Sequence, residues 1–386
     1  MATTVLEPNL YTKARLPLEQ AETLPRWAYT SQEFYDAEVS RIFRKNWNFV
    51  GREDEISQPG DFFVADVVGE SIIIVRDRNG QINAFANTCR HRGTRLLSGS
   101  GRCRLISCPY HAWAFAPSGE LIAAPGMEDV AGFNKADYGL IRIRLESWGG
   151  FMFVNFDPDS ISLLEYLGDA VQTFAPYRFE NMVCTRRKDF DLACNWKIYV
   201  ENAMEDYHTA TVHRVSIGKQ ICTREPSTVN WDAIHMPGEK TCAILPGETT
   251  LFQTIPTLTG NSAAGTFFAV VYPNWFFATT QDCMWWLHVA PKGPGRSIVN
   301  HGACFPRETA ESDDFKNEVR KYSQRWDKSL PEDNEIAELQ QIGLASSFIQ
   351  PGRLSPLEPV VHAMEQWVLD RVLDPKPRRS NGRSAS

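Results

Sequence analysis

His208 and His213 stand five positions apart, with carboxylates at Glu201, Glu205 and Asp206 just upstream. A helix-like run, Asn195-Trp196-Lys197-Ile198-Tyr199-Val200, precedes them. Two neutral imidazoles and one carboxylate on one face of an iron(II) leave the opposite positions open for oxygen and substrate. The two histidines would supply the imidazoles. At about 100° per residue, five positions put them roughly 140° apart on a regular helix, so the spacing predicts a helix end or bulge between them. Thr209, Thr211 and Val212 are β-branched and favour such a break. Alone, two histidines near a helix end are more often packing or capping groups than ligands.

A second constellation changes that balance. Cys89-Arg90-His91 is followed, after sixteen intervening residues, by Cys108-Pro109-Tyr110-His111. Each half is a short loop offering one thiolate and one imidazole. Two thiolates on one iron and two imidazoles on the other are the ligand set of a Rieske [2Fe–2S] centre. A structural zinc site uses the same residue types, but it usually presents paired cysteines and paired histidines rather than two mixed pairs. Gly93, Gly99 and Gly101 would let backbone N–H groups approach the cluster sulfurs.

Both constellations need elements to hold them. Residues 1 to 29 contain prolines and no clear period, which predicts an irregular arm. Thr30 with Glu33 makes a capping box, and Tyr35, Val39, Ile42, Phe43 and Trp47 recur at helical spacing. The period then becomes that of strands: Phe62-Phe63-Val64, Ile72 to Val75, and Ile82 to Ala86 after the tight-turn signal Arg78-Asn79-Gly80-Gln81. Gly119 to Ala123 and Gly150 to Phe156 continue the β pattern, and Leu163 to Tyr177 looks helical. After His213 comes a long irregular region, then strands at Thr266 to Tyr272, Trp275 to Thr280 and Met284 to Ala290, rich in Phe and Trp. Those aromatics are more often sheet core than ligand cage. Pro331 suits the first turn of a helix running on from Glu332, and Leu357 to Leu373 reads as a last amphipathic helix.

Length and composition set the outer limits. The 386 residues predict two domains, or one large one with an appended module, and 43% hydrophobic with 23% charged residues is ordinary for a globular protein. A net charge of −7, with no basic stripe outside Lys376 to Arg383, argues against nucleic-acid binding. No apolar run approaches a membrane span, and Met1 to Leu10 lacks signal-peptide character, so a cytoplasmic location is expected. Nine irregularly spaced cysteines do not suggest a disulfide framework. Cys103, Cys184, Cys194, Cys222, Cys242, Cys283 and Cys304 read as reduced thiols. His235, His288, His301 and His362 read as ordinary core or surface histidines.

Cys-x-His with Cys-x-x-His, Trp113 and Gly119 downstream, then Asn195-Trp196-Lys197, Glu201-Asn202 and an acidic residue three before a His-x4-His pair, resembles the large subunit of Rieske non-heme iron oxygenases. The resemblance covers roughly residues 25 to 373. It implies an α+β protein: an all-β Rieske [2Fe–2S] domain at 46–165 and a catalytic mononuclear iron domain at 166–373, whose antiparallel sheet packs on helices. Residues 1–45 would join the catalytic domain, and 374–386 would be a disordered tail. The family pattern of Asp, then Ile at +3, Glu at +5 and Gln at +7, matches Asp333, Ile336, Glu338 and Gln340. Asp333 would therefore complete the iron site with His208 and His213, Glu332 being the alternative. Cys89, His91, Cys108 and His111 would hold the cluster.

In this family electrons cross from one subunit's Rieske histidine to a neighbour's iron-ligating histidine through a carboxylate, in a ring-shaped trimer. By position the pair is His111 and His208, and the bridge is Glu205, with Asp206 beside it as a possible substitute. Asn202 and Glu205 are thus expected at the catalytic centre. The commonest pattern has Asp at the bridge. Glu is longer by about 1.5 Å and occurs in the subgroup resembling carnitine, choline and glycine betaine oxygenases, which oxidise quaternary ammonium compounds. The resemblance implies a terminal oxygenase that uses O2 to attack a C–H bond next to nitrogen of a small organic substrate. A cationic ammonium held by cation–π attraction and an uncharged aromatic both suit the rings, so ring hydroxylation stays an alternative, as does a Rieske-type electron carrier. With no nucleotide-binding glycine loop or flavin pattern in the chain, a separate NAD(P)H-dependent reductase, with or without a ferredoxin, is the expected partner.

Overall fold

The computed structural model describes residues 4–373, so the tail read as disordered lies outside the described residues. Strands fill the first half: β1 (Asn48–Arg52), β2 (Asp61–Val67), β3 (Glu70–Arg76), β4 (Ile82–Ala86), β5 (Ser100–Arg102), β6 (Ile106–Ser107), β7 (Ala114–Phe115), β8 (Leu121–Ala123), β9 (Arg142–Trp148) and β10 (Phe151–Asn155). Seven of these form an antiparallel sheet in the order β1-β10-β9-β4-β3-β2-β5, and β6-β7-β8 make a small second one. β3 is the anchor: Ile72 to Val75 are all fully buried, two facing each of two cores. Asp77 fixes the β3–β4 hairpin, because its Oδ1 accepts from Asn79 N at 2.8 Å and Gln81 N at 2.9 Å.

The second half is built on another antiparallel sheet: β11 (Met182–Leu192), β12 (Thr223–Glu225), β13 (Trp231–Pro237), β14 (Gly265–Val271), β15 (Trp275–Thr279), β16 (Met284–Gly293) and β17 (Arg296–Pro306), in the order β11-β17-β16-β15-β14-β13-β12. Its central strands are buried on both faces, which is why their sequences read as nearly continuous apolar runs. Alternation sorts the aromatics. Phe268, Phe276 and Trp285 face the helices, whereas Phe267, Trp275, Phe277 and Trp286 face the first domain and pack with Trp47, Phe49, Trp148, Phe151 and Phe153.

The helix face carries Trp196–Ala203, Phe315–Ala345 and Pro359–Leu373. Asn195 caps the first of these, its side chain accepting from Lys197 N at 3.0 Å. Residues Trp196 to Glu201 are all buried, including a lysine. Lys197 Nζ meets Glu38 Oε1 at 2.6 Å, and both side chains are fully buried. Trp196 Nε1 donates to the other oxygen of Glu38 at 3.2 Å. This pair ties the helix that leads to His208 to the N-terminal arm, whose Tyr11, Leu24, Tyr29, Phe34, Ile42 and Phe43 belong to the same core. Lys197→Met is expected to strand a buried carboxylate and to cost about 3–5 kcal/mol in denaturant unfolding, with much of the loss recovered by adding Glu38→Leu. A single-variant loss below about 1 kcal/mol would contradict that role.

Four expectations are corrected. The helix Gln32–Glu38 is capped by Ser31, which accepts from Phe34 N at 3.4 Å, while Glu33 accepts from Val5 N at 3.2 Å instead of closing a box with Thr30. That helix ends at Glu38 and runs into a π-turn over Val39–Phe43, so Trp47 lies beyond it. Leu163 to Tyr177 is broken into Leu163–Leu167, Ala170–Thr173 and a 3-10 turn at Ala175–Tyr177, with Gly168 at φ 56° interrupting it. Pro331 lies inside a 31-residue helix rather than at its start. Proline removes one intrahelical hydrogen bond, but Tyr322, Arg325, Trp326, Ser329, Leu330 and Ala337 are buried on either side of it. Tertiary packing carries the helix through.

Candidate metal centres and substrate cavity

The first site is made by two loops that fold alike. Cys89 N donates to Thr94 O at 2.8 Å and Gly93 N to Cys89 O at 2.9 Å; Cys108 N donates to Trp113 O at 2.7 Å and Ala112 N to Cys108 O at 3.1 Å. Gly93 and Ala112 both take positive φ, 77° and 58°, to close these turns. The result brings both buried thiols into contact and sets the His91 and His111 rings edge to face at 4.8 Å. Trp113 stacks under His91 at 4.9 Å. Burial pushes the Cys89 thiol up; at Cys108 burial is outweighed by the N–H groups of Tyr110 and His111, which hold the thiol below its ordinary value. Backbone donors thus already point at sulfur. His111 Nδ1 is buried without a partner, an orphan that a metal would satisfy, so the donor set fits a two-iron cluster held by two thiolates and two imidazoles.

The second site lies on the helix face of the other sheet. His208 and His213 bracket a single helical turn, Thr209–Val212, so a helix end falls between the histidines as their spacing predicts, and a second break lies upstream between Ala203 and His208. The His213 end of the turn unwinds (φ −96°, ψ 16°), which lets both rings converge at 5.1 Å. Asp333 Oδ1 from the long helix sits 3.1 Å from His213 Nε2 and 3.6 Å from His208 Nε2. Ligand atoms of the three lie within 4.8 Å of one another. Asp333 Oδ1 is buried with no hydrogen-bond partner.

The other nitrogen of each ring is held by a carboxylate. His208 Nδ1 lies 2.6 Å from Glu205 Oε1, and His213 Nδ1 lies 2.7 Å from Glu332 Oε2, which also accepts from Ser216 Oγ at 2.5 Å. Each carboxylate fixes the Nδ1–H tautomer and aims an Nε2 lone pair at the common point. Burial opposes a charged His213, yet Asp333 and Glu332 outweigh it and hold its pKa above the ordinary value. Three converging donors, an orphaned carboxylate oxygen and excess negative charge fit a divalent cation. Asp206, the alternative to Glu205, instead accepts from Cys222 N at 2.6 Å and anchors the following loop. Of the remaining histidines, His235 contacts Asn261 O at 3.1 Å and His288 contacts Asn300 Oδ1 at 3.2 Å.

The order of these two sites along the chain matches known proteins. Residues 46–134 match the Rieske [2Fe-2S] domain, and residues 179–374 match the ring hydroxylating alpha subunit (catalytic domain), which is half of the chain. The chain belongs to the ring-hydroxylating alpha-subunit family. The chain is 36% identical over 202 residues to the carnitine monooxygenase oxygenase subunit of Acinetobacter baumannii, a match covering 50% of this chain and 53% of that protein. The alignment thus spans about half the length of that relative. It is 27% identical over 363 residues to chloroplastic choline monooxygenase of Atriplex hortensis, covering 92% of this chain and 78% of the relative. A solved structure of a quaternary ammonium Rieske monooxygenase, described for carnitine oxidation by gut microbiota and inter-subunit electron transfer, superimposes with a TM-score of 0.78 at 25% identity, covering 91% of this chain and 95% of that one.

Two cavities meet at His208. The inner one, about 70 Å³, is bordered by His208, His213 and Asp333, by Phe268, Phe276 and Trp285 on the sheet, and by Arg325, Ser329 and Leu330 on the long helix. The outer one, about 480 Å³, lies behind Glu205 and His208 and is bordered by Glu201, Glu358 and Glu365. Burial pushes Glu201 up to about 7, and Tyr29 OH bonds both its oxygens at 3.0 and 3.1 Å. Asn202 borders both cavities. Arg325, Ser329 and the supporting role of Glu332 were not read from the sequence. The signal was present: Arg325, Ser329 and Asp333 recur at i, i+4 and i+8, a stripe visible once the helix is carried through Pro331. Among the described residues no helix is long and apolar enough to cross a membrane.

Proposed function

We propose that this chain is the terminal oxygenase of a multicomponent system and oxidises a C–H bond next to nitrogen in a small N-methylated, cationic substrate. One observation carries the reading: His208, His213 and Asp333 converge at the end of a cavity walled by Phe268, Phe276 and Trp285, in a chain that also pairs Cys89 and Cys108 with His91 and His111. His208, His213 and Asp333 would hold the mononuclear iron; Cys89 and Cys108 would hold one cluster iron, and His91 and His111 the other. When bound, the two centres supply O2 activation and the electrons for it. The protein residues do the rest. Phe268 and Phe276, stacked at 6.4 Å, offer ring faces to an ammonium. A cavity of about 70 Å³ suits a compact substrate.

The substrate chemistry balances with one O2, two electrons and two protons: one oxygen atom enters the C–H bond and the other leaves as water. The resulting carbinolamine breaks its C–N bond to give an aldehyde, a free amine and a proton. Electrons would come from a separate NAD(P)H-dependent reductase. We place the donor cluster on a neighbouring copy in a homotrimer, because Tyr110 beside His111 is 56% exposed and the outer cavity opens on the back of His208. Glu205, already on His208 Nδ1, would then bridge to the partner's Rieske histidine.

The test is to reduce the loaded protein without air, mix it with O2 and N-trimethyl compounds or aromatic hydrocarbons, and identify products. Amine plus aldehyde is expected. A cis-dihydrodiol, or no oxygen-dependent product from any N-methyl compound, would overturn the reading, and sustained turnover of this chain alone with NADH would overturn the reductase. Glu332→Gln is expected to weaken iron binding about 10–100-fold while leaving the cluster spectrum unchanged. A metal titration with unaltered affinity would remove Glu332 from its supporting role.

A further inference from the structure

Arg325 lies on the long helix eight residues before Asp333, two turns or about 12 Å along the axis, with Ser329 midway. All three border the inner cavity. The Arg325 side chain is buried, at 4% exposure. Its Nε donates to Cys242 O at 2.9 Å, its Nη1 lies 3.4 Å from Ser329 Oγ, and its guanidinium stacks over the Trp285 ring at 4.8 Å. Those two acceptors use two of five N–H donors. Among the described residues no carboxylate comes within the 4.0 Å of an ion pair with it. Buried Lys197, by contrast, has Glu38 at 2.6 Å.

A charge taken out of water is costly unless it is paired. Burial pushes the Arg325 pKa below its ordinary value, with Cys242 and Asp333 opposing that shift. The missing counter-ion must come from what enters the cavity. The planar fork of guanidinium N–H groups matches a carboxylate. Phe268 and Phe276 border the same cavity as Arg325 and the His208–His213–Asp333 triad, so the cavity brings together a cation, aromatic rings and the place of an oxidising centre.

We propose that Arg325 binds a carboxylate on the substrate, which makes the substrate class a short-chain N-methylated amino acid or betaine rather than an amino alcohol. The assignment deepens the N-dealkylating reading and rests on it for the reacting end alone. The two-turn separation leaves room for a few methylenes between the carboxylate and the ammonium. An amino alcohol would leave the guanidinium unpaired. Arg325 is thus a specificity-determining residue and takes no part in the bond-breaking step.

The test uses the iron-loaded protein without oxygen and compares matched ligands by calorimetry. One pair is a trimethylammonio carboxylic acid with two to four carbons in its acid chain, and its methyl ester. The other replaces nitrogen by carbon: 5,5-dimethylhexanoate and its amide. Wild type is expected to bind each carboxylate about 10–100-fold tighter than its ester or amide counterpart. Arg325→Gln should reduce the ratio to within about 3-fold while leaving ester affinity within about 3-fold, and Arg325→Lys should restore part of the preference. Equal wild-type affinity for the acid and its ester or amide would overturn the proposal without recourse to any variant, as would Arg325→Gln weakening both alike. A preference for 5,5-dimethylhexanoate with no trimethylammonium compound oxidised would uphold Arg325 and sink the N-dealkylating reading. Oxidation of trimethylammonium compounds with no acid preference would do the reverse.

Discussion

Asp333→Ala is expected to abolish oxygen-dependent product formation, by at least about 10³-fold, while the visible spectrum of the [2Fe–2S] centre stays as in wild type. The factor corresponds to about 4 kcal/mol of lost transition-state stabilisation. Asp333 Oδ1 is the one carboxylate oxygen facing both Nε2 atoms, at 3.1 and 3.6 Å, and it has no other partner. Without it two imidazoles remain, too few to hold iron(II) on one face with the opposite positions open. Glu332 cannot step in, because adjacent helical residues point about 100° apart and its carboxylate is engaged behind His213 by the ring Nδ1 and by Ser216. Retained turnover in Asp333→Ala would move the metal site elsewhere.

Glu205→Gln should leave both metal centres loaded yet slow reoxidation of the reduced cluster by about 10–100-fold. Glu205 accepts from His208 twice, through Nδ1 at 2.6 Å and the backbone N–H at 3.0 Å. An amide keeps one acceptor and loses the charge that supports His208 and would support the partner's Rieske histidine. Glu205→Asp keeps the charge but is about 1.5 Å shorter, so it should rescue little. Rapid mixing of the reduced protein with O2 and substrate reads the rate directly. Reoxidation in Glu205→Gln at the wild-type rate would show that electrons do not pass this carboxylate. Loss of iron in the same variant would instead make Glu205 a support for His208 alone.

Much of this site was legible because metal chemistry demands particular residue types at short range. The mixed Cys/His pairs and the His208–His213 pair each sit within one loop or turn, so spacing alone brought them out. Asp333 lies more than a hundred residues away and emerged from the family pattern. What spacing could not supply was the division of labour between Glu332 and Asp333: they are neighbours in sequence, and only the direction of each side chain on a packed helix separates a ligand from a support. Pro331 misled for a physical reason, since a proline signals a helix start unless buried neighbours on both sides outweigh its missing N–H. The strands β14 to β16 announced themselves through continuous apolar runs. The edge strand β11, with Arg186, Arg187, Lys188 and Asp189 in its middle, and β17, with its small and polar residues, did not.

Iron and acid-labile sulfide per chain, measured in wild type and in Asp333→Ala, test the two-centre account most directly. About three irons and two sulfides are expected in wild type, falling to about two irons and two sulfides in the variant. Two irons in both proteins would contradict it, leaving a cluster-only electron carrier with no catalytic role for His208, His213 and Asp333.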